Sequence, residues 1–217
     1  MSIQTEGTPA PKRALVVIDV QNDYITGNLR IEYPPVETSL SNIGRAMDAA
    51  SRAGIPIVVV QHVSPADSPI FAQSSVGGAV YEAVASRPHD LLLEKRRTSA
   101  LTETALADWL TARSIDTLTI VGYMTHNCDH ATTLEAARLG WKVEVLSDAT
   151  GSPSYANAQG HATAEEIHRV FTIVMHTGFA AVATTAEWLE AIAAGKSLAP
   201  DSIVMSHRRA QVLRGGV

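Results

Sequence analysis

The stretch that most constrains the fold runs from Leu118 to Asp148, LTIVGYMTHNCDHATTLEAARLGWKVEVLSD. Its pattern predicts a buried strand, a tight polar turn, a helix and a second buried strand. Leu118 to Val121 is a β-branched apolar run too short for a helix, and Gly122 ends it. Thr125 or Asn127 is a candidate cap for the helix. Ala131, Leu134, Ala137 and Arg138 fall three or four apart, so a face of small residues can pack closely on a sheet, and Gly140 is placed to stop the helix. Cys128, the only cysteine in the chain, falls where turn becomes helix. The positive end of a helix dipole favours thiolate there, the nucleophilic form, although a free cysteine also serves as a small buried hydrophobe.

The rest of the chain repeats the same alternation. Ala14 to Gln21 is a continuous apolar strand, as a central parallel strand covered on both faces requires, and it leaves Asp19 at its carboxyl end. Open α/β sheets place their ligands at such ends, and a carboxylate there can also tie down the following loop. Asn22 to Pro35 reads as a loop. Val36 to Ala53 is helical on the spacing of Leu40, Ile43, Met47 and Ala50, with Gly54 as its stop. Ile55 to Gln61 is the second strand, and His62 to Gly78 is a long loop rich in Ser, Pro and Gly, a type more often functional than idle. A short helix over Tyr81 to Ala85 precedes a third strand, Asp90 to Glu94, which delivers Lys95. Thr102 to Arg113 is the next helix. After the central stretch, with Lys142 to Leu146 as its second strand, come a helix over His161 to His176, a sixth strand over Phe179 to Ala183 and a helix over Thr185 to Ala194. This alternation predicts a parallel sheet with helices on both sides and right-handed crossovers.

The 217 residues, 46% of them hydrophobic, suffice for one α/β domain with a loose arm at 1–12 and a polar, partly basic tail at 197–217 that can reach over a neighbouring subunit. A formal net charge of -5 and a pI near 5.9 argue against nucleic acid as a partner, and Lys95-Arg96-Arg97 is too small a basic cluster to change that. One cysteine excludes an internal disulfide and fits a reducing compartment. MSIQTEGTPAPKR lacks the apolar core of a signal peptide, and no apolar run approaches the ~20 residues of a membrane span. The expectation is a cytoplasmic protein without a membrane partner.

Asp19, Lys95 and Cys128 each lie at or just past the carboxyl end of a predicted parallel strand, so all three point into one crevice. A thiol that attacks a carbonyl must lose its proton, and a carboxylate can accept that proton and return it to a leaving amine. Lys95 can hold Asp19 ionised and lower the thiol pKa; read alone, it is equally a solvated member of a basic run. A noncatalytic binding module would not need all three residues. A redox sensor would leave Asp19 and Lys95 without a purpose and has no second cysteine to resolve a sulfenate.

VVIDVQNDY around Asp19, EKRRTSAL around Lys95 and VGYMTHNCDHATTLEAARLGWKVEVLSDA around Cys128 resemble, in order from Ala14 to Leu189, the isochorismatase-like cysteine hydrolases. That family includes nicotinamidases, N-carbamoylsarcosine amidases, ureidoacrylate amidohydrolases and isochorismatases. The resemblance implies a Rossmann-like, three-layer α/β/α fold with a six-stranded parallel sheet. It implies Asp19 as general base, Lys95 as its electrostatic partner and Cys128 as nucleophile acting on a small-molecule substrate. It also implies a cis Tyr123-Met124 peptide that turns the Met124 N–H, with that of Cys128, toward an oxyanion, and assembly as a homodimer or homotetramer. Nicotinamidases carry a metal-binding Asp-x-His motif just after the second strand, where this sequence has Gln61-His62-Val63-Ser64. The ligand set is broken, so no metal or other cofactor is expected. His62 then either contacts substrate or caps its strand. His126 and His130 share a helix face, but Cys128 lies two positions from each and points elsewhere, so no zinc site is expected from them either. Tyr24, Phe71 and Tyr123 can line an apolar slot or belong to the core. Retention of the cysteine favours C–N cleavage over vinyl-ether hydrolysis of the isochorismatase type.

Overall fold

The structure is a computed structural model and describes residues 10–215, so most of the expected N-terminal arm and the last two residues of the tail lie outside the described residues. In chain order, β1 (Arg13–Ile18) leads through a helical turn, α1 (Asn22–Ile25), to α2 (Val36–Ala53) and β2 (Ile57–His62). Then come α3 (Glu82–Ala85), β3 (Leu91–Lys95), α4 (Leu106–Ala112) and β4 (Thr117–Tyr123). A π-helical turn (Thr125–Asp129) leads into α5 (His130–Arg138) and β5 (Lys142–Gly151), followed by a small hairpin of β6 (Tyr155–Asn157) and β7 (Gly160–Ala162). The chain continues through α6 (Ala164–His176), β8 (Ala181–Ala183), α7 (Thr185–Ala193) and α8 (Ile203–Leu213).

Six strands form one parallel sheet in the order β3-β2-β1-β4-β5-β8. Alternation along the strands sorts the core into two layers. Leu15, Val17, Ile57, Val59 and Val121 face Ile43, Met47 and Ala50 of α2 and Trp188 of α7. Ala14, Val16, Ile18, Val58, Val60 and Ile120 face Leu106 and Leu110 of α4, Ala136 of α5 and Met175 of α6. With apolar side chains needed on both faces, the strands read as unbroken hydrophobic runs. The chain winds outward from β1 to β3, then returns to the other side of β1 as β4. The strand order therefore reverses between β1 and β4, the switch point at whose carboxyl ends open α/β sheets form their ligand crevice.

Several elements differ from the sequence reading for local physical reasons. α4 begins at Leu106 rather than Thr102 because Glu103 takes a left-handed φ of 57°, while Thr104 Oγ1 accepts the Leu106 N–H. α6 begins at Ala164 because Thr163 and Glu166 form a reciprocal capping box, and His161 belongs to the hairpin instead. β5 runs five residues past Leu146, pairing with β4 again beyond a register shift as Gly122↔Thr150 and Tyr123↔Gly151. Gly122 makes this possible: its φ is 117°, and a Cβ there would lie 2.0 Å from the Ile18 carbonyl oxygen. The loop after β1 contains α1, and the polar tail contains α8, capped by Ser202, with no buried residue of its own.

One buried polar cluster lies away from the crevice. Arg13 donates from Nε and Nη2 to both oxygens of Glu144, at 2.9 and 2.7 Å, across β1, β4 and β5. Thr119 Oγ1 and Trp188 Nε1 donate to Glu144 Oε2, at 2.8 and 3.0 Å, and Arg13 Nη2 also donates to the Lys196 carbonyl. Such a pair stabilises only as a complete set, since losing one partner strands a buried charge. Arg13→Met is expected to cost about 3–5 kcal/mol in urea unfolding. Adding Glu144→Leu should recover part of that loss, and a double variant no more stable than the single one would contradict this account.

Candidate active site

The crevice is built by three strand ends. Asp19 follows β1 with a left-handed φ of 51°, its N–H donating to the Val60 carbonyl at 2.9 Å. For a residue with a Cβ that conformation costs on the order of 1–3 kcal/mol and persists where surrounding structure enforces it. Lys95 is the last residue of β3, in register with His62 on β2. Cys128 sits inside the π turn after β4. The side chains meet at Lys95 Nζ, which lies 2.8 Å from Asp19 Oδ2 and 3.3 Å from Cys128 Sγ, with His62 Nδ1 at 3.1 Å and the Arg97 carbonyl at 3.0 Å. Four acceptors thus share three ammonium hydrogens. A protonated amine only donates, so His62 Nδ1 accepts and that ring carries its proton on Nε2.

Exposure is 0% for Asp19, 1% for Lys95 and 6% for Cys128. Burial lowers the pKa of Lys95, but the Asp19 carboxylate and the Cys128 sulfur outweigh it and raise the net value, so the lysine stays charged. Among the described residues neither Asp19 oxygen receives an aligned hydrogen bond; the 2.8 Å contact to Lys95 is an ion pair off that alignment. Burial pushes the Cys128 thiol well above its ordinary value, the Asp19 charge adds to this, and Lys95 opposes it. The resting group is therefore a thiol. Desolvation and the neighbouring carboxylate thus act against the thiolate that a helix dipole favours. The expected caps are corrected. Thr125 and Asn127 lie within the π turn and cap nothing; the N–H groups of Asn127 and Asp129 both go to the Met124 carbonyl, at 3.0 and 3.3 Å. The Tyr123-Met124 peptide is cis. Among the described residues the Met124 and Cys128 N–H groups enter no backbone hydrogen bond across elements.

An aromatic wall stands beside these groups. The Tyr24 ring lies 4.9 Å from Phe71 and 5.6 Å from Tyr123, and Phe71 lies 5.6 Å from His62. Tyr123 directs its hydroxyl to Ser39 of α2, 2.7 Å away. Two side chains not singled out from sequence hold this wall in place. Gln21 accepts the His62 N–H and donates to the His62 and Gly78 carbonyls, while Asp23 Oδ2 accepts the Phe71 N–H at 2.7 Å. The Asp23 carboxyl is packed so closely that a Cβ on Gly77 would lie 2.5 Å from its Oδ1. Both sit in the VVIDVQNDY stretch, where their positions just past the strand end were the available signal.

The other side of the site was also missed. Tyr155, on the β6–β7 hairpin, contacts His126 Nε2 at 3.0 Å and Met124 Sδ at 3.6 Å. His126 Nδ1 meets Ser152 Oγ at 3.0 Å, and the rings of His126 and His130 both pack edge-on to Phe171. Behind the thiol, Asp129 is fully buried against Thr150, and burial pushes its carboxyl up to about 7. Among the described residues no group of three or more His, Cys, Asp or Glu side chains is arranged to hold a metal ion. A surface cleft of about 350 Å³ is bounded by His126, Tyr155 and Phe171; larger clefts of about 640 and 780 Å³ lie along β8 and residues 194–200, remote from Cys128.

A parallel sheet that gathers a buried thiol, carboxylate and ammonium at its switch point has the layout of an α/β enzyme. A family model described as the isochorismatase domain matches residues 13–187, and the chain belongs to the isochorismatase family of hydrolases. It superposes on a solved isochorismatase-family structure from Burkholderia xenovorans LB400 with a TM-score of 0.94 at 54% identity, covering 96% of this chain and 100% of that one. A secreted isochorismatase effector of Verticillium dahliae is 31% identical over 63% of this chain and 71% of its own. The nicotinamidase of Escherichia coli (strain K12) is 25% identical over 64% of this chain and 82% of its own. Among the described residues no helix is long and apolar enough to cross a membrane.

The histidines around this site set a pH dependence. Burial lowers His126 and His168 from 6.5 to about 4, so the folded protein refuses protons that the unfolded chain accepts. Stability is therefore lost as the pH falls from 6.5 through about 4. Asp129, raised to about 7, works in the opposite sense over that range, but two rings against one carboxyl leave a net loss on acidification. Urea midpoints across this interval should fall toward acid, and His126→Gln should flatten the slope; an unchanged slope would contradict the assignment.

Proposed function

We propose that this hydrolase cleaves the C–N bond of a small amide, carbamoyl or ureido compound through a thioester on Cys128. The observation that carries the reading is one buried ammonium in contact with both a carboxylate and a thiol. Asp19, with no aligned donor on either oxygen, takes the thiol proton as sulfur attacks the substrate carbonyl carbon. Lys95 compensates the charge on sulfur during that transfer. The carbonyl oxygen, now negative, accepts from the Met124 and Cys128 N–H groups. When the C–N bond breaks, protonated Asp19 returns the proton to the departing nitrogen. Water then gives a proton to Asp19, its oxygen attacks the thioester carbon, and the sulfur leaves and regains the proton.

Tyr24, His62 and Phe71 form the substrate wall in this reading, with Tyr123 bracing Tyr24 from behind. Their burial suits a compact, largely apolar substrate flanking the scissile carbonyl. The relationship to a nicotinamidase supports C–N cleavage, and the thiol at the centre favours it over vinyl-ether hydrolysis. No step requires a metal ion, since an amide carbonyl is polarised here by backbone donors.

Cys128→Ser should lose several orders of magnitude in turnover of any amide the native protein hydrolyses, while keeping its thermal unfolding profile. Lys95→Met should slow alkylation of Cys128 by iodoacetamide at neutral pH, because the ammonium is the one group that lowers this thiol's pKa. Wild-type turnover in Cys128→Ser, or an unmoved alkylation profile in Lys95→Met, would overturn the reading.

A further inference from the structure

Behind the nucleophile lies a buried chain of four polar side chains that the reaction above does not use. Asp129 Oδ2 is in hydrogen-bond contact with Thr150 Oγ1, Thr150 Oγ1 with Thr125 Oγ1 at 2.9 Å, and Thr125 Oγ1 with His168 Nδ1 at 2.9 Å. Three contacts need three hydrogens, and the two threonine hydroxyls supply only two. The third must come from one end of the chain, from the Asp129 carboxyl or from His168 Nδ1.

The surroundings decide between the ends. Burial pushes His168 down to about 4, so its ring is neutral and carries a single proton, on Nδ1 or on Nε2. A ring with both protons would be a buried cation, packed edge-on to Tyr33 and facing another histidine, His126. At the other end, Asp129 Oδ1 is fully buried and has no donor among the described residues. An ionised Asp129 would leave that charged oxygen bare with the Asp19 carboxylate nearby; Lys95 is the cation that faces it, and the hydroxyls of Tyr24 and Tyr123 are the other titratable groups within its field.

We propose that Asp129 stands in the folded protein as a neutral carboxylic acid that donates into the Thr150–Thr125–His168 chain, and that this chain is the positioning device for the Cys128 turn. Thr125 and Asp129 are the first and last residues of the π turn, so the chain pins both of its ends, to Thr150 of β5 and His168 of α6. A neutral Asp129 also spares the thiol a second adjacent carboxylate beside that of Asp19. The functional half of this inference rests on Cys128 being the nucleophile; the protonation half does not.

Infrared spectroscopy at slightly acidic pH should show a protonated-carboxyl carbonyl band that disappears in Asp129→Asn. Histidine-selective ¹⁵N NMR of the wild-type protein should show His168 with its proton on Nε2 and a bare Nδ1, an arm that needs no variant to fold. At the same pH, Asp129→Asn, which keeps a neutral donor, should alkylate at Cys128 within about twofold of the wild-type rate. If Asp129 is ionised, removing that charge beside the thiol would speed alkylation about tenfold or more. That acceleration, an Nδ1–H on His168, or the absence of the infrared band would each overturn the proposal. All three readouts are independent of turnover, so they separate this inference from the hydrolase reading.

Discussion

The site depends on one buried cation. Lys95 Nζ, delivered by β3, reaches past His62 on β2 to Asp19 beyond β1 and to Cys128 beyond β4, and so ties together four neighbouring strand ends. An ammonium taken wholly out of water costs several kcal/mol unless charge and hydrogen bonds replace its hydration. Here the Asp19 carboxylate replaces the charge, and sulfur, imidazole and the Arg97 carbonyl replace the solvent oxygens. Because the three functional groups come from separate elements, each fixes the others. The left-handed backbone of Asp19 and the π turn of Cys128 are the local irregularities that let side chains leave a regular sheet and meet at one point.

Around that cation the protein uses backbone contacts to close the site. Gln21 and Asp23, just past Asp19, clamp the long loop after β2 from below, and Tyr155 arrives from the opposite side on a hairpin. The result is that Asp19, Lys95 and Cys128 are nearly free of solvent exposure, and burial opposes ionisation of the thiol. In the proposed reaction, low solvent access strengthens the interactions that develop in the transition state, including those of the Met124 and Cys128 N–H groups.

Much of this was legible in the sequence because it arises from local pattern. Unbroken apolar runs at β1, β2 and β4 announced strands covered on both faces, and Asp19, Lys95 and Cys128 were conspicuous as polar residues just after such runs. The bounds of α2 followed from the spacing of Ile43, Met47 and Ala50 and from Gly54, whose left-handed φ of 66° closes the helix. What escaped was long-range. The two ends of the π turn, Thr125 and Asp129, are tied to β5 and α6 by contacts that no local spacing announces. Arg13 and Glu144 are 131 residues apart, and Tyr155 meets Met124 across 31. Likewise, a helix dipole at Cys128 is visible in a sequence, whereas the burial beside Asp19 that opposes it is visible only in three dimensions.

Catalysis by the proposed route requires a covalent bond to one sulfur. Acid-quenching the protein during turnover of a panel of small amides and weighing it intact should reveal, for a true substrate, an acyl adduct that maps to Cys128 and decays as product appears. Hydrolysis that continues unabated after complete alkylation of Cys128, with no adduct at any time, would contradict it.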